Sequence, residues 1–410
     1  MSEPEDKPRP PQTATERVGD EALLRVRNLK TYFHTDEGVV RAVDGIDFDV
    51  RRGESLGIVG ESGSGKSVSQ ISTLKLIPSP PGEIVDGKIW FNGENLLEKS
   101  EKEIREIRGN QISMIWQDPM TSLNPFLKIS TQLVEGLQAH HDIDEEEARE
   151  KAIGMLEKVG IPGAAERIDN HPHEFSGGMR QRVMIAMALL CEPELLIADE
   201  PTTALDVTIQ AQILDLIKDL KSEMNTSVII ITHDLGVVAG MADRIVVMYG
   251  GRVMEEAHAK DLFRRPAHPY TVGLLKSVPR IDRGRGEPLV PIEGRPPDAS
   301  EQTPGCPFAE RCRWSIDKCE KEFPPPTTFE GDRRSYCWRA EEVAAAELGS
   351  RVSAEHMTEI ERRVEAGETI DTDDGLETTD TPDSDETVES SSDDVDRQET
   401  DEEAREVTHG

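Results

Sequence analysis

A short glycine-rich loop has the residue types and spacing that bind phosphate. The stretch LGIVGESGSGKS at 56–67 is an apolar run followed by the pattern G-x-x-x-x-G-K-S. Glycines at this spacing let the backbone curl so that its N–H groups, with the N-terminus of the next helix, hold phosphate oxygens. Lys66 adds a charge for the β- and γ-phosphates, and Ser67 adds a hydroxyl for Mg²⁺. The expected site residues here are Gly60, Ser62, Gly63, Ser64, Gly65, Lys66 and Ser67.

Two adjacent carboxylates end a second apolar run, LLIADE at 195–200. Asp199 lies at the expected carboxyl end of a buried strand, where it can hold Mg²⁺ through water. Glu200 follows it and can polarise an attacking water molecule. An acidic pair by itself is typical of a solvated turn, but the apolar residues before it and the phosphate loop upstream favour a catalytic pair.

The stretch EFSGGMRQR lies between these two motifs and predicts a second anion site. Ser176 stands at a helix N-cap position, and Gly177 and Gly178 leave backbone amides uncovered. Here the sequence resembles the ABC ATPases, whose signature is LSGGQ, with Phe175 and Met179 replacing Leu and Gln. The resemblance implies a head-to-tail pair of subunits with two ATP sites, in which the signature of one subunit covers the γ-phosphate held by the other.

The same resemblance assigns roles to residues that would otherwise be unremarkable. It implies that Gln117 senses Mg²⁺ and contacts the transporter, that Asp206 faces the partner subunit, and that His233 contacts the γ-phosphate. It places Phe33 where an aromatic ring stacks on adenine, although the neighbouring Tyr32 could serve. The implied catalytic residues are Glu200, His233 and Lys66, and the implied Mg²⁺ ligands are Ser67, Gln117 and Asp199.

Strands that alternate with helices must position these groups. Short β-type runs precede residue 118, three helical patterns follow it, and strands then alternate with helices to residue 265. This order predicts an α/β fold with a mostly parallel sheet, to which the resemblance adds an antiparallel β subdomain. The expected organisation is a flexible lead at 1–20, an ABC ATPase domain at 21–265 with a helical insertion at about 118–190, a C-terminal extension at 266–340 and an acidic disordered tail at 341–410.

Charge and hydropathy disfavour a nucleic-acid-binding protein and a protein that spans a membrane. The net charge is −34, and residues 341–410 contribute −20 of it from 25 acidic and 5 basic side chains, with no aromatic residue. Such acidity disfavours binding to a nucleic-acid backbone, and the tail lacks the apolar residues that a folded segment needs. The longest strongly apolar run, at 183–191, is far short of the roughly 20 residues of a membrane span, and the N-terminus has no signal-peptide core.

The extension indicates a branch of the family. FRRPAHPYTVGLLKSVPR at 263–280, together with WQDPMTSLNPF and FSGGMRQR, is similar to the dipeptide/oligopeptide importer ATPases of the DppD/OppD type. The resemblance implies an ATP-hydrolysing subunit at the cytoplasmic face of the cell membrane that drives peptide uptake. Its implied partners are a second ATPase subunit (a related separate chain), two membrane permease subunits and an extracellular solute-binding protein. The alternatives are import of nickel or oligosaccharides by the same machine, and a soluble ABC ATPase without a transport role.

Four cysteines follow within the extension, with the spacing C-x₅-C-x₆-C-x₁₇-C. A reducing cytosol disfavours disulfides, so four thiols within 32 residues indicate a metal that staples a small domain. Structural zinc usually uses tighter spacing, whereas a [4Fe–4S] cluster accepts a wider one. The related importer ATPases carry similar cysteines, which favours the cluster over zinc or free thiols. The expected ligands are Cys306, Cys312, Cys319 and Cys337, and Cys191 is expected to be a buried thiol.

Overall fold

Two sheets and a group of helices make up the part of the chain that the structure describes. The structure is a computed structural model, and it carries a sheet of four strands and a sheet of eight. The described residues are 22–118, 122–202, 207–277, 291–301 and 303–347.

The eight-stranded sheet holds the parallel core, in the order β11-β12-β10-β9-β3-β8-β7-β6. Its five adjacent strands from β9 to β6 are parallel to one another. They are short and almost wholly apolar, as strands must be when helices cover both faces of a parallel sheet. The strands are β3 (Ser55–Val59), β6 (Ile112–Ile115), β7 (Leu195–Asp199), β8 (Ser227–Thr232), β9 (Arg244–Tyr249), β10 (Arg252–His258), β11 (Thr327–Thr328) and β12 (Arg334–Ser335).

The four-stranded sheet is antiparallel, in the order β2-β1-β4-β5. Apolar side chains of its two longest strands alternate with polar ones, and the apolar set packs into the same core as the inner face of β3. Its strands are β1 (Ala22–Thr35), β2 (Gly38–Arg51), β4 (Gly82–Phe91) and β5 (Glu94–Asn95).

Twelve helices connect these strands within the described residues. Several begin at side-chain caps, such as Ser100 with its capping box and Asp144, which accepts a hydrogen bond from the N–H of Glu147. The helices are α1 (Lys66–Thr73), α2 (Glu101–Ile107), α3 (Ile129–Gln138), α4 (Glu145–Lys158), α5 (Ala164–Arg167), α6 (Gly177–Leu189), α7 (Val207–Met224), α8 (Leu235–Met241), α9 (Ala259–Arg264), α10 (Pro269–Ser277), α11 (Asp317–Lys321) and α12 (Ala340–Glu347). None of the helices in the described part is long and apolar enough to cross a membrane.

The segment after residue 265 joins the sheet of the preceding domain. Strand β12 pairs with β10, so the large sheet continues into this segment. Its apolar side chains Tyr270 and Phe308 share one cluster with Val59 and Tyr249 of the sheet. The segment thus contributes to a common core.

The predicted fold class is confirmed: the chain has a mostly parallel α/β core, an antiparallel β subdomain, a helical insertion and a cysteine-containing extension. The predicted domain limits stay predictions. The lead at 1–20 and most of the acidic tail lie outside the described residues, and helix α12 (Ala340–Glu347) occupies the first seven positions of the segment expected to be disordered.

Candidate functional site

The glycine-rich loop between β3 and α1 is pressed closely against neighbouring backbone. A Cβ atom on Gly60 would lie 2.2 Å from the carbonyl oxygen of Met248, and one on Gly65 would lie 2.3 Å from that of Ala42. Both glycines have positive φ, 155° and 94°. Any side chain at either position would displace backbone, which explains why the loop needs glycine there.

Lys66 begins helix α1 and folds back over the loop. Its Nζ donates to the carbonyl oxygens of Gly60, at 2.8 Å, and Glu61, at 3.0 Å, and the residue is only 6 % exposed. Burial lowers the pKa of Lys66, while the carboxylates of Glu200, Asp199 and Glu61 oppose that shift. The Lys66 ammonium group therefore binds two carbonyl oxygens in this structure. Phosphate oxygens could replace these carbonyl oxygens when a nucleotide binds.

Ser67 and Asp199 form an oxygen pair beside the loop. The Ser67 hydroxyl donates to Asp199 Oδ1 at 3.0 Å, and Asp199 is 5 % exposed. Burial raises the pKa of Asp199, although the hydrogen bond from Ser67 opposes the shift. A buried carboxylate and a hydroxyl are hard oxygen ligands that suit Mg²⁺, which takes few protein ligands and keeps several waters. Ser67 and Asp199 fit the predicted magnesium site. The amide of the third predicted ligand, Gln117, donates to Glu200 instead, and its contact with Mg²⁺ stays a prediction.

Glu200 is held from two sides at the carboxyl end of the sheet. Gln117 Nε2 donates to Glu200 Oε2 at 2.8 Å, and His233 Nδ1 lies 3.1 Å from Glu200 Oε1. Glu200 has a φ of 45°, in the left-handed region that a non-glycine residue adopts only where its surroundings enforce it. The structure therefore brings together three predicted residues that follow three different strands, β6, β7 and β8.

The signature residues lie at the exposed start of helix α6. Ser176 caps helix α6, its hydroxyl accepting from the N–H of Met179 at 3.3 Å, and Ser176 and Gly177 are exposed. Phe175 beside them is buried and anchors the start of the helix. Among the described residues, no hydrogen bond or ion pair joins Ser176, Gly177 or Gly178 to Lys66, Ser67 or Asp199.

The two aromatic candidates for adenine stacking differ in their contacts. The Tyr32 hydroxyl donates to Asp44 Oδ1 at 2.7 Å, and the Arg41 guanidinium lies over its ring at 5.6 Å from the centroid. Phe33 lies partly buried beside Gly82. The adenine contact of Phe33 stays a prediction, and Asp206 lies outside the described residues.

Two residues that contact the phosphate loop, Tyr270 and Arg311, were not among the predicted site residues. Tyr270 accepts a hydrogen bond from the backbone N–H of Glu61 at 2.9 Å, and Arg311 donates to Glu61 Oε2 at 2.8 Å. Tyr270 belongs to the HPYT stretch, whose composition alone indicates an ordinary turn. No local signal points from either residue to the loop.

The four cysteines of the extension line one cavity of about 10 Å³. Burial raises the pKa of Cys306 to about 12 and that of Cys337 to about 11, and the neighbouring thiols raise both further. Thiolates suit iron–sulfur clusters and zinc, so the donor type fits a metal. The arrangement fits less well, because the space is smaller than a cluster and no group of three or more His, Cys, Asp or Glu in the described ranges could hold a metal ion.

Comparison with known families gives two matches along the chain. The family model for ABC transporters matches residues 43–203, which include the phosphate loop and the carboxylate pair. The model for the C-terminal region of oligopeptide/dipeptide transporters matches residues 254–319, which include Tyr270, Arg311 and three of the four cysteines.

Curated relatives match over most of their length. A probable peptide ABC transporter ATP-binding protein of Sinorhizobium fredii is 54 % identical over 321 residues, which cover 78 % of this chain and 96 % of the relative. The dipeptide transport ATP-binding protein DppD of Bacillus subtilis is 51 % identical, covering 79 % and 96 %. The oligopeptide transport ATP-binding protein OppD of Haemophilus influenzae is also 51 % identical, covering 78 % and 98 %.

Among solved structures, the ATP-binding cassette MJ0796, a dimer in a post-hydrolysis state bound to ADP and phosphate, aligns with a TM-score of 0.51 and 27 % identity. The alignment covers 58 % of this chain and 98 % of the cassette. The site geometry, the two family matches and these relatives agree. The chain belongs to the ATP-binding, ATP-hydrolysing proteins of ABC transporters, in their oligopeptide/dipeptide branch.

Proposed function

We propose that this chain powers the import of dipeptides or oligopeptides from the cytoplasmic face of the cell membrane, where it attaches to a permease. The observation that carries the proposal is the match of residues 254–319 to the C-terminal region of oligopeptide/dipeptide transporters. Strand β10 of that region pairs with β9 of the ATPase sheet, and Tyr270 contacts the phosphate loop.

In the proposed mechanism, the residues at the sheet edge divide the chemistry of ATP hydrolysis. The loop amides and Lys66 bind the phosphates, and Ser67 and Asp199 are the residues that would hold Mg²⁺, which neutralises phosphate charge. Glu200 orients the attacking water, and Gln117 and His233 fix the Glu200 carboxylate through the hydrogen bonds described above. His233 also contacts the γ-phosphate in this proposal. Catalysis then rests mainly on positioning and charge stabilisation.

A second ATPase subunit completes each site in this proposal. Ser176 and Gly177 are exposed at the start of α6, so their hydroxyl and amide can reach the nucleotide of another subunit. The dimeric MJ0796 cassette supports such a pair. We assign Asp206 to the same interface and propose that the partner is a related separate chain.

The proposed permease site is an apolar groove beside Gln117. Leu76, Trp116, Leu133 and Met184 help to line this groove, which has a volume of about 530 Å³. Two of its lining side chains are large, apolar and exposed, with Trp116 at 38 % and Leu76 at 37 %. Since Gln117 directly follows Trp116 and holds Glu200, movement of a docked permease helix would reach the catalytic carboxylate.

The test of this function is ATPase activity of the chain assembled with its permease and partner ATPase in proteoliposomes. A peptide-loaded binding protein should raise activity several-fold. Leu76→Asp should reduce this stimulation about tenfold, because it puts a charge on the apolar groove that Leu76 lines, and ATP binding should persist. Val85→Asp is the control, since Val85 is similarly apolar and exposed (39 %) but lies on strand β4.

Other outcomes would replace the proposal. Stimulation by a nickel- or oligosaccharide-loaded binding protein, with none by peptide, would assign a different solute to the same machine. Activity that is indifferent to the permease and to every solute would indicate a soluble ABC ATPase.

We further propose that Cys306, Cys312, Cys319 and Cys337 bind a [4Fe–4S] cluster, with zinc as the alternative. The support is that all four cysteines line one cavity. The apolar side chains of the extension pack in a cluster with side chains of the ATPase sheet. Binding would require the thiols to lose their protons and the cavity to widen. No step of ATP hydrolysis passes through this group.

The cluster predicts iron and sulfide in stoichiometric amounts after anaerobic purification, with a broad visible absorbance. Cys319→Ser should lose most of the iron, whereas Cys191→Ser should keep it, because Cys191 is far from the extension in sequence and packs against the core of the helical insertion. Cys191 is partly buried, so the prediction of a buried thiol is wrong. Zinc without iron, or neither metal in the intact chain, would remove the cluster from the proposal.

A further inference from the structure

One residue of the phosphate loop, Glu61, is held through both its backbone and its side chain by the C-terminal extension. Its N–H donates to the Tyr270 hydroxyl at 2.9 Å, and its carboxylate accepts from Arg311 at 2.8 Å. We propose that Tyr270 and Arg311 are positioning residues of the ATP site, which fix the loop and neutralise the Glu61 carboxylate so that a triphosphate can bind. The inference rests on ATP binding by this loop and is independent of the transported solute.

Tyr270 is packed so that its hydroxyl has a fixed position. The residue is fully buried, and its ring lies 4.5 Å from the centroid of Tyr249 and 5.3 Å from that of Phe308. Burial raises the pKa of Tyr270, so the group stays a neutral hydroxyl at physiological pH. The aromatic cluster thereby holds the Tyr270 hydroxyl in place as the acceptor for the Glu61 N–H.

Arg311 is anchored on three sides. Its Nε donates to the carbonyl of Glu293 at 2.9 Å, one terminal nitrogen donates to Ile292 at 3.0 Å, and the other donates to both Glu61 and the Tyr249 hydroxyl. The side chain is 7 % exposed. Because two backbone carbonyls and an aromatic hydroxyl orient the guanidinium, it presents its charge to Glu61 without a large entropic cost.

Glu61 links these contacts to the catalytic lysine. Its carbonyl oxygen accepts from Lys66 Nζ at 3.0 Å and from the N–H of Ser64 at 3.2 Å. A shift of Glu61 would therefore move an acceptor of Lys66 and the turn that carries the loop amides. Without Arg311, the loop would also present an uncompensated carboxylate to the negatively charged triphosphate, which opposes binding.

The test separates the KM for ATP from kcat. We expect Arg311→Ala to raise the KM of the assembled transporter, and the Kd of the full chain for ATP, about tenfold, with kcat within about twofold. Adding Glu61→Gln to Arg311→Ala should recover most of the affinity, because it removes the unpaired charge. Tyr270→Phe should raise KM about threefold, since it deletes only the acceptor of one N–H.

Tyr336→Phe is the matched control, because Tyr336 is another tyrosine of the extension, packed on Phe323 at 5.8 Å. It should leave both constants unchanged. If Arg311→Ala does not fold, Tyr270→Phe decides the question, because it removes a single hydroxyl and leaves Arg311 in place. Folded variants with unchanged Kd, a loss of kcat at unchanged KM, or a Glu61→Gln change that restores nothing would each overturn the proposal.

Discussion

Glu200→Gln is expected to reduce ATP turnover at least about 100-fold while ATP binding persists. The amide keeps the size of the side chain and can still bond to Gln117 and His233, which hold the carboxylate at 2.8 Å and 3.1 Å. What it loses is the negative charge that polarises the attacking water. Since Lys66, Ser67 and Asp199 are untouched, the nucleotide should bind and remain unhydrolysed, so the ATPase pair should accumulate in its ATP-bound form.

The measurement is phosphate release together with size-exclusion chromatography in ATP. Glu223→Gln is the control, because Glu223 is exposed and forms a surface ion pair in which Lys158 Nζ lies 2.6 Å from Glu223 Oε1. Its turnover should match that of the unchanged chain. Turnover near the normal rate in Glu200→Gln would remove Glu200 from the mechanism and leave water activation to another group.

The sequence predicts candidate catalytic residues because each of them is marked by its own neighbours. Lys66 follows a glycine pattern, Asp199 and Glu200 end an apolar run, and His233 follows another. The carboxyl ends of adjacent parallel strands meet at one edge, so residues that end such strands must converge. The structure places Gln117 and His233 in contact with Glu200, as this geometry requires.

The contacts of the extension are beyond such prediction, because they join residues far apart in the chain. Tyr270 and Glu61 are 209 positions apart, and Arg311 and Glu61 are 250 apart. Periodicity reports which face of an element is buried, but not which distant loop it meets. The same limit applies to β12, two residues long, whose pairing with β10 has no signature in the sequence.

A buried charge network also joins elements that the sequence leaves separate. Arg244, at the start of β9, pairs with Glu54 at 2.8 Å and with Glu256 on β10, while Arg334 on β12 holds the other oxygen of Glu256. The side chains of Arg244, Glu54 and Glu256 are 6 %, 6 % and 1 % exposed. The network therefore ties the large sheet to the end of the antiparallel sheet and to the extension.

Arg244→Met is expected to lower the free energy of unfolding by about 3–5 kcal/mol, because it leaves two buried carboxylates with one cation between them. Adding Glu54→Gln should recover part of that loss by removing one uncompensated charge. Urea unfolding of the full chain, followed by circular dichroism, measures both changes.

Arg52→Met is the matched control, since Arg52 is 57 % exposed and pairs with Glu194. This substitution should lower the free energy of unfolding by at most about 1 kcal/mol. Equal losses in Arg244→Met and Arg52→Met would contradict a structural role for the network. A loss confined to Arg244→Met, and reduced by Glu54→Gln, would identify the buried charge balance as a contribution to the stability of the fold.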